Sequence, residues 1–522
     1  MDHIELILLF LLIAVSALTV LARVLDVPYP ILLVLGGSLF GFVPGVPDIE
    51  LEPDLVLLIF LPPLLFNAAY FTSLRDLRAD LRPIMLTAVG LVLATACAVA
   101  VVAHAAIAGL PWAAAFALGA IVSPTDPLAA TAITRRLGIP RRATAVIEGE
   151  SLVNDGTALV VYRSALVAVG GSFDLLDATG DFVVNALGGL AVGLVAGRLL
   201  VEVFKRIVGD DVAGVVMSLA CGYVGYLPAE RLGVSGVLAA VGVGLVVGRR
   251  SHEISTAASR LRGYAFWEVL VFLLNAVLFT LVGLQLPAIL AEQDRSAGEL
   301  TALAVLVSGT VIGVRLLWSH TTPYVVRVLD RRASQVARRA NWRLRTVLAW
   351  SGLRGAVSLA AALALPAGFP ERGLLVFLTL AVIFATLVFQ GLTLPLLIRR
   401  LDIHDDGVAS REELVARKEA ARAAVAHLRR LGEEEWTRDD TVERMIGLYE
   451  FRQRRLRQRA GVAEDGEDDL DRRSLDYQRL VREVLDAQRR RVVELRDEGE
   501  ISDDVLYALE RELDLEDERL EI

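Results

Sequence analysis

The chain has 522 residues, 55% of them hydrophobic, and a formal net charge of −9, with a mean hydropathy of +0.54. So apolar a composition argues against a soluble globular protein, whose charged and polar residues must cover its surface. Two cysteines, Cys97 and Cys221, each inside an apolar run, exclude a disulfide framework or a cysteine-ligated metal centre.

Uncharged runs near the ~20 residues a bilayer needs recur along residues 1–400, so the expected fold is all-α and polytopic, with about 13 transmembrane helices. They fall at roughly 4–22, 28–45, 53–71, 83–108, 112–134, 143–169, 182–204, 212–228, 233–248, 265–290, 300–326, 346–366 and 373–398. The first run follows Met1-Asp2-His3-Ile4-Glu5, acidic where a secretory signal is basic, and reads as a retained span.

Loop charge sets the expected orientation. Arg75, Arg78 and Arg82, then Arg135, Arg136, Arg141 and Arg142, then Lys205 and Arg206, then Arg249, Arg250, Arg260 and Arg262 occupy alternate loops, and the stretch 327–345 continues the series. The opposite loops carry Asp48, Glu50, Glu52 and Asp54, then Asp174, Asp177 and Asp181, then Glu292, Asp294 and Glu299. This alternation places the N-terminus outside a cell membrane and the C-terminal tail in the cytoplasm.

After Arg400 the composition inverts, dividing the chain into a membrane domain, 1–400, and a charged cytosolic tail, 401–522. The tail reads as amphipathic helices, among them Arg411 to Leu431 and Leu475 to Arg496. Their polar faces suit solvent or an unidentified regulator. There is no nucleotide motif, and nothing argues for nucleic acid.

Three polar breaks interrupt the apolar spans, and charge at membrane depth is a functional-site hypothesis by default. In Ser123-Pro124-Thr125-Asp126-Pro127, two prolines each remove a helical hydrogen bond, so the helix is expected to unwind. Unwound backbone at this depth is tolerated where it lines a cavity, and its freed carbonyls can ligate an ion. In Gly149-Glu150-Ser151-Leu152-Val153-Asn154-Asp155, Ser151 and Asp155 lie four apart on one face. Glu150 diverges from Asp155 by ~140° on a helix of 3.6 residues per turn, so it needs a different partner. Arg354, in Ser351-Gly352-Leu353-Arg354-Gly355, is the expected one. At 1.5 Å per residue, Asp155 lies ~20 Å from Arg142, Asp126 and Arg354 ~14 Å from the basic edge, and Glu150 ~12 Å, all in the middle of a ~30 Å core. Asn67 and Asn275 read as interhelical hydrogen-bonding residues. Arg163 and Arg315 also need partners, which the sequence does not name.

These motifs, with Phe60-Leu61-Pro62-Pro63-Leu64-Leu65-Phe66, resemble the sodium/proton antiporters of the NhaP and NHE branch of the monovalent cation:proton antiporters. The resemblance covers about residues 5–400. It implies an inverted-repeat fold whose fifth and twelfth spans cross at unwound centres, and a homodimer. It implies that Asp155 carries the exchanged Na⁺ or proton, that Thr125, Asp126 and Ser151 complete the ion site beside Asn154, and that Glu150 and Arg354 form a structural pair. It further implies that an Asn-Asp pair, rather than Asp-Asp, goes with electroneutral 1:1 exchange. No cofactor is expected beyond the transported ions.

The expected chemistry is a competition. A deprotonated Asp155 is a hard oxygen anion suited to a small cation, whereas a protonated one is neutral and binds none. Oxygen ligands alone do not distinguish Na⁺ or Li⁺ from K⁺, so a K⁺/H⁺ antiporter is the near alternative. A passive channel would carry current. A carboxylate intramembrane protease could use Asp126 and Asp155 but gives the double proline no role.

Overall fold

The structure, a computed structural model, describes residues 2–44, 53–169, 175–207, 209–329, 341–405, 407–459 and 469–521. Helices account for its regular structure, and there is no strand among the described residues. Several start where a polar side chain accepts a free first-turn N–H, which the helix itself leaves unpaired. Asp210 accepts from Ala213 at 3.0 Å, Ser235 from Leu238 at 3.2 Å and Asn341 from Leu344 at 2.8 Å.

By contacts the chain divides into two compact units, Met1–Asp405 and Asp406–Ile522. The helices of the first unit that matter below are α1 Asp2–Leu25, α2 Tyr29–Gly41 and α3 Pro53–Phe71, then α4 Leu81–Ala106, α5 Trp112–Val122, α6 Pro127–Arg136 and α7 Arg141–Val169. They continue with α8 Leu175–Arg206, α9 Asp211–Arg231, α10 Gly236–Arg249 and α11 Ala257–Leu284. The last are α12 Ala297–Leu329, α13 Trp342–Trp350 and α14 Ala356–Leu363, then α15 Arg372–Arg400.

Among the described residues, seven helices can cross a membrane by length and composition, and shorter apolar helices, including α2, α5 and α10, accompany them. Length alone therefore does not fix thirteen crossings. The runs expected at 112–134 and 346–366 are both interrupted, the first between Val122 and Pro127 and the second between Trp350 and Ala356. α11 also begins eight residues earlier than the apolar run, because Thr256 caps it by accepting from Ser259 at 3.0 Å.

Prolines do not all break helices here. α3 runs straight through Pro62 and Pro63. Pro63 has no N–H to offer the carbonyl of Ile59, and the Tyr223 hydroxyl of α9 donates to that oxygen at 3.1 Å instead. A neighbouring helix thus satisfies a freed backbone group, as membrane proteins require.

The second unit is made of helical hairpins. Val408–Leu431 packs with Asp439–Arg459, burying Ala421, Val425 and Leu428. Asp469–Asp497 packs with Asp503–Glu521, burying Leu485 and Leu506, and Arg489 reaches Asp514 at 2.9 Å.

Candidate functional site

The two interrupted spans meet. After Val122 the chain leaves the helix and re-enters it at Pro127, and Ser351–Gly355 is likewise non-helical between α13 and α14. The amide of Asp126 donates to the carbonyl of Leu353 at 2.8 Å, a direct backbone bond between the two unwound segments. The Arg354 guanidinium is buried and donates through Nε to the Val122 carbonyl at 3.1 Å and through Nη1 to Gly352. It thus answers the unpaired carbonyl at the C-terminal end of α5, where a positive charge is favoured. The Arg354 amide donates to the Thr386 hydroxyl of α15 at 3.1 Å. The crossing is close enough that a Cβ at Gly355 would collide with the Asp126 carboxylate.

The direct partner of Glu150 is Arg315, not Arg354. Arg315 Nη1 and Nη2 both donate to its carboxylate, the latter at 3.2 Å, with each side chain 5% exposed. The expected direct Glu150–Arg354 ion pair is not seen among the described residues: Arg354 turns Nε and Nη1 to backbone carbonyls at the crossing and acts on Glu150 only through its charge, while α12 supplies the hydrogen-bonded counter-charge. Arg315 also donates to the Ala349 carbonyl at 3.2 Å, next to the break in the second span. Arg163 likewise has a partner, Glu230, at 2.7 Å.

α7 grips the first break along its length. Thr125 donates its hydroxyl to Glu150 at 3.2 Å, while Asn154 Nδ2 donates to that hydroxyl at 2.9 Å. The Ser151 hydroxyl donates to the Thr125 carbonyl at 2.7 Å. Asn154 is 1% exposed, and its Oδ1 is buried without a hydrogen-bond partner. It braces the unwound segment and stands behind the cavity wall.

In front of that wall lies a cavity of about 350 Å³ bordered by Thr125, Asp126, Ser151 and Asp155. Glu148, Ser151, Leu152 and Asp155 all border it, the spacing of one helix face. Glu150 does not, consistent with its ~140° divergence from Asp155. α3 contributes Asn67 and α11 contributes Asn275 to the same cavity. Asn275 donates to its own helix at Val271, 2.7 Å away, which leaves its Oδ1 buried and unpaired. Glu148 is thus a cavity residue beyond those expected from the motifs, and Asn67 and Asn275 border the cavity as well as lying between helices. The i, i+3, i+7 step from Glu148 to Asp155 was the available signal for the first, but nothing local marks the asparagines as facing a carboxylate.

Carboxylates in a cavity at the crossing of two broken helices are the arrangement in which secondary transporters hold their coupling ions. The sodium/hydrogen exchanger transmembrane family matches residues 9–400, and the chain belongs to it. It is 37% identical over 518 residues to an uncharacterised Na⁺/H⁺ exchanger of Mycobacterium tuberculosis, covering 97% of this chain and 94% of the relative. It is 33% identical over 393 residues to a sodium, potassium, lithium and rubidium/H⁺ antiporter of Bacillus pumilus, covering 72% of this chain and 58% of the relative. The fold is that of the sodium proton antiporter MjNhaP1 of Methanocaldococcus jannaschii, with a TM-score of 0.58 at 17% identity, covering 76% of this chain and 99% of that one.

Proposed function

We propose that this antiporter exchanges Na⁺ or Li⁺ for H⁺ one for one, with cation and proton competing for Asp155. The observation that carries the reading is the placement of Asp155 on the cavity face of α7 beside Ser151, Thr125 and Asp126. In this scheme Asp155 is the exchanged charge, and Asp126, Thr125 and Ser151 supply further oxygens to the transported Na⁺. Asn154 keeps the neighbouring position neutral while holding Thr125 in place. Arg354 fastens the crossing, and the Glu150–Arg315 pair fixes Thr125 from behind.

The same reading has thirteen crossings, the N-terminus outside the cell membrane, the tail in the cytoplasm and two copies of the chain forming a homodimer. It keeps 1–400 as the exchange domain and 401–522 as a tail open to a regulator. Transport of K⁺ is the second reading, favoured by the wide ion range in the name of the Bacillus pumilus relative.

The test is fluorescence dequenching in inverted vesicles with Na⁺, Li⁺ and K⁺ added separately. Asp155→Asn is expected to reduce each response to that of vesicles lacking the protein while the amount of folded protein stays unchanged. Retained exchange in that variant rejects the mechanism, and the ranking of ions in the unmodified protein decides between the two readings.

A further inference from the structure

A second cavity, of about 210 Å³, lies among α4, α7, α12 and α13. Five arginines border it, Arg82, Arg142, Arg315, Arg327 and Arg345, together with one carboxylate, Glu150. Arg142 pairs with Asp80, Nε to Oδ1 at 2.9 Å, Arg315 pairs with Glu150, and Arg82 also has a partner.

The other end of the cavity is different. Arg345 is 7% exposed and its Nη1 is buried without a hydrogen-bond partner. Arg327 Nε and Trp318 Nε1, which belong to residues of the same wall, are also buried and unpaired. Tyr324 lies against both guanidinium groups, 5.2 Å from Arg345 and 4.9 Å from Arg327. The Tyr324 ring steadies both cations and its hydroxyl accepts a hydrogen bond from each side chain, which still leaves Arg345 Nη1 and Arg327 Nε unpaired. Buried donors without acceptors are costly, and a charged one more so. Three such donors in one cavity ask for a ligand with several strong acceptor oxygens and negative charge.

Phosphate oxygens have that chemistry, and arginine forks match their geometry. The remaining wall is apolar, including Leu86, Pro323 and Leu348. A basic pocket with apolar sides between membrane helices suits an amphiphile whose phosphate lies at the arginines. We infer that this cavity binds a phosphate-class anion, with the headgroup phosphate of an anionic phospholipid as the occupant that its apolar wall favours. The site is separate from the Asp155 cavity and does not depend on which ion is exchanged.

The full chain, purified in neutral detergent, is titrated with phosphatidylglycerol, phosphatidylcholine or inorganic phosphate, and Tm and lipid retained in native mass spectrometry are read. Phosphatidylglycerol is expected to raise Tm and remain bound, and phosphatidylcholine to do neither. Arg327→Gln and Arg345→Gln are each expected to weaken binding by about fivefold or more, and Arg345→Lys to weaken it less because the charge is kept. Arg343→Gln removes an exposed arginine of α13 that does not border the cavity, and is expected to leave binding unchanged. Arg327 is partly exposed, so its variant keeps the test available where Arg345→Gln folds poorly. Stabilisation by inorganic phosphate alone, lost in the same variants, supports the site and identifies a free anion as the occupant. Equal binding by the unmodified protein and both glutamine variants, or an equal loss in Arg343→Gln, overturns the inference.

Discussion

At the scale of single residues, the Glu150–Arg315 pair organises the site without touching the ion cavity. Both partners are buried, and Glu150 also accepts from Thr125. Removing one partner of such a pair leaves the other as an uncompensated buried charge, typically a loss of 3–5 kcal/mol. Glu150→Gln and Arg315→Gln should each lower Tm in purified protein by an amount of that order, and the double variant should lose much less than their sum. Additive losses would reject the pairing. Arg354→Gln combined with Glu150→Gln should show a smaller rescue, because Arg354 acts on Glu150 through its charge without a direct hydrogen bond and turns Nε and Nη1 to Val122 and Gly352. The sequence made the depth and the helix face of Glu150 legible, since both follow from rise and turn per residue. Its partner was not legible, because two arginines lie at suitable depths and choosing between them needs the path of a long side chain. Asn275 was hidden for a similar reason: which helix faces Asp155 is a tertiary fact.

At the scale of elements, both helix breaks were legible in local chemistry, two prolines in one and flanking glycines in the other, but not their closeness of approach. A Cβ at Gly355 would meet the Asp126 side chain, and one at Gly352 would meet the Arg315 stem. Neither glycine has a positive φ, so packing rather than backbone strain requires them. Overpacking of this kind costs about 1–3 kcal/mol, and here it falls on groups that hold the crossing together. Gly355→Ala and Gly352→Ala should therefore slow cation-dependent proton movement markedly, with protein still recovered from the membrane. Gly368→Ala is the control, since nothing lies within 4 Å of an added Cβ there, and it should exchange at the original rate. Equal rates in all three variants would mean that the close approach has no bearing on exchange. α3 gives the opposite lesson about prolines. Pro62 and Pro63 are also a proline pair inside an apolar span, yet Tyr223 repairs the freed carbonyl and the helix continues.

At the scale of the whole molecule, the proposed exchange is a statement about charge. The Glu150–Arg315 pair sums to zero and does not border the Asp155 cavity. In the proposed scheme Asn154 stays neutral and Asp155 is the group whose charge changes in each half-cycle. One Na⁺ or one H⁺ on that carboxylate gives the same net charge, so both loaded forms cross with equal electrical work. Each net charge moved in a cycle would instead be worth about 2.3 kcal/mol per 100 mV, roughly a fifty-fold shift in the ion ratio at equilibrium. In proteoliposomes with a clamped membrane potential, the equilibrium ratio should follow the proton gradient and stay unchanged when the potential is stepped by about 100 mV. A shift near fifty-fold would require a second proton, and Asp126 and Glu148, the other carboxylates that border the cavity, would be its candidate carriers. Competition at Asp155 adds a signature of its own. Lowering the pH should raise the KM for Na⁺ while saturating Na⁺ restores the rate, because each proton bound removes a cation site that excess cation can reclaim. A fall in the saturated rate with an unchanged KM would place proton and cation on separate groups and remove Asp155 as their shared site.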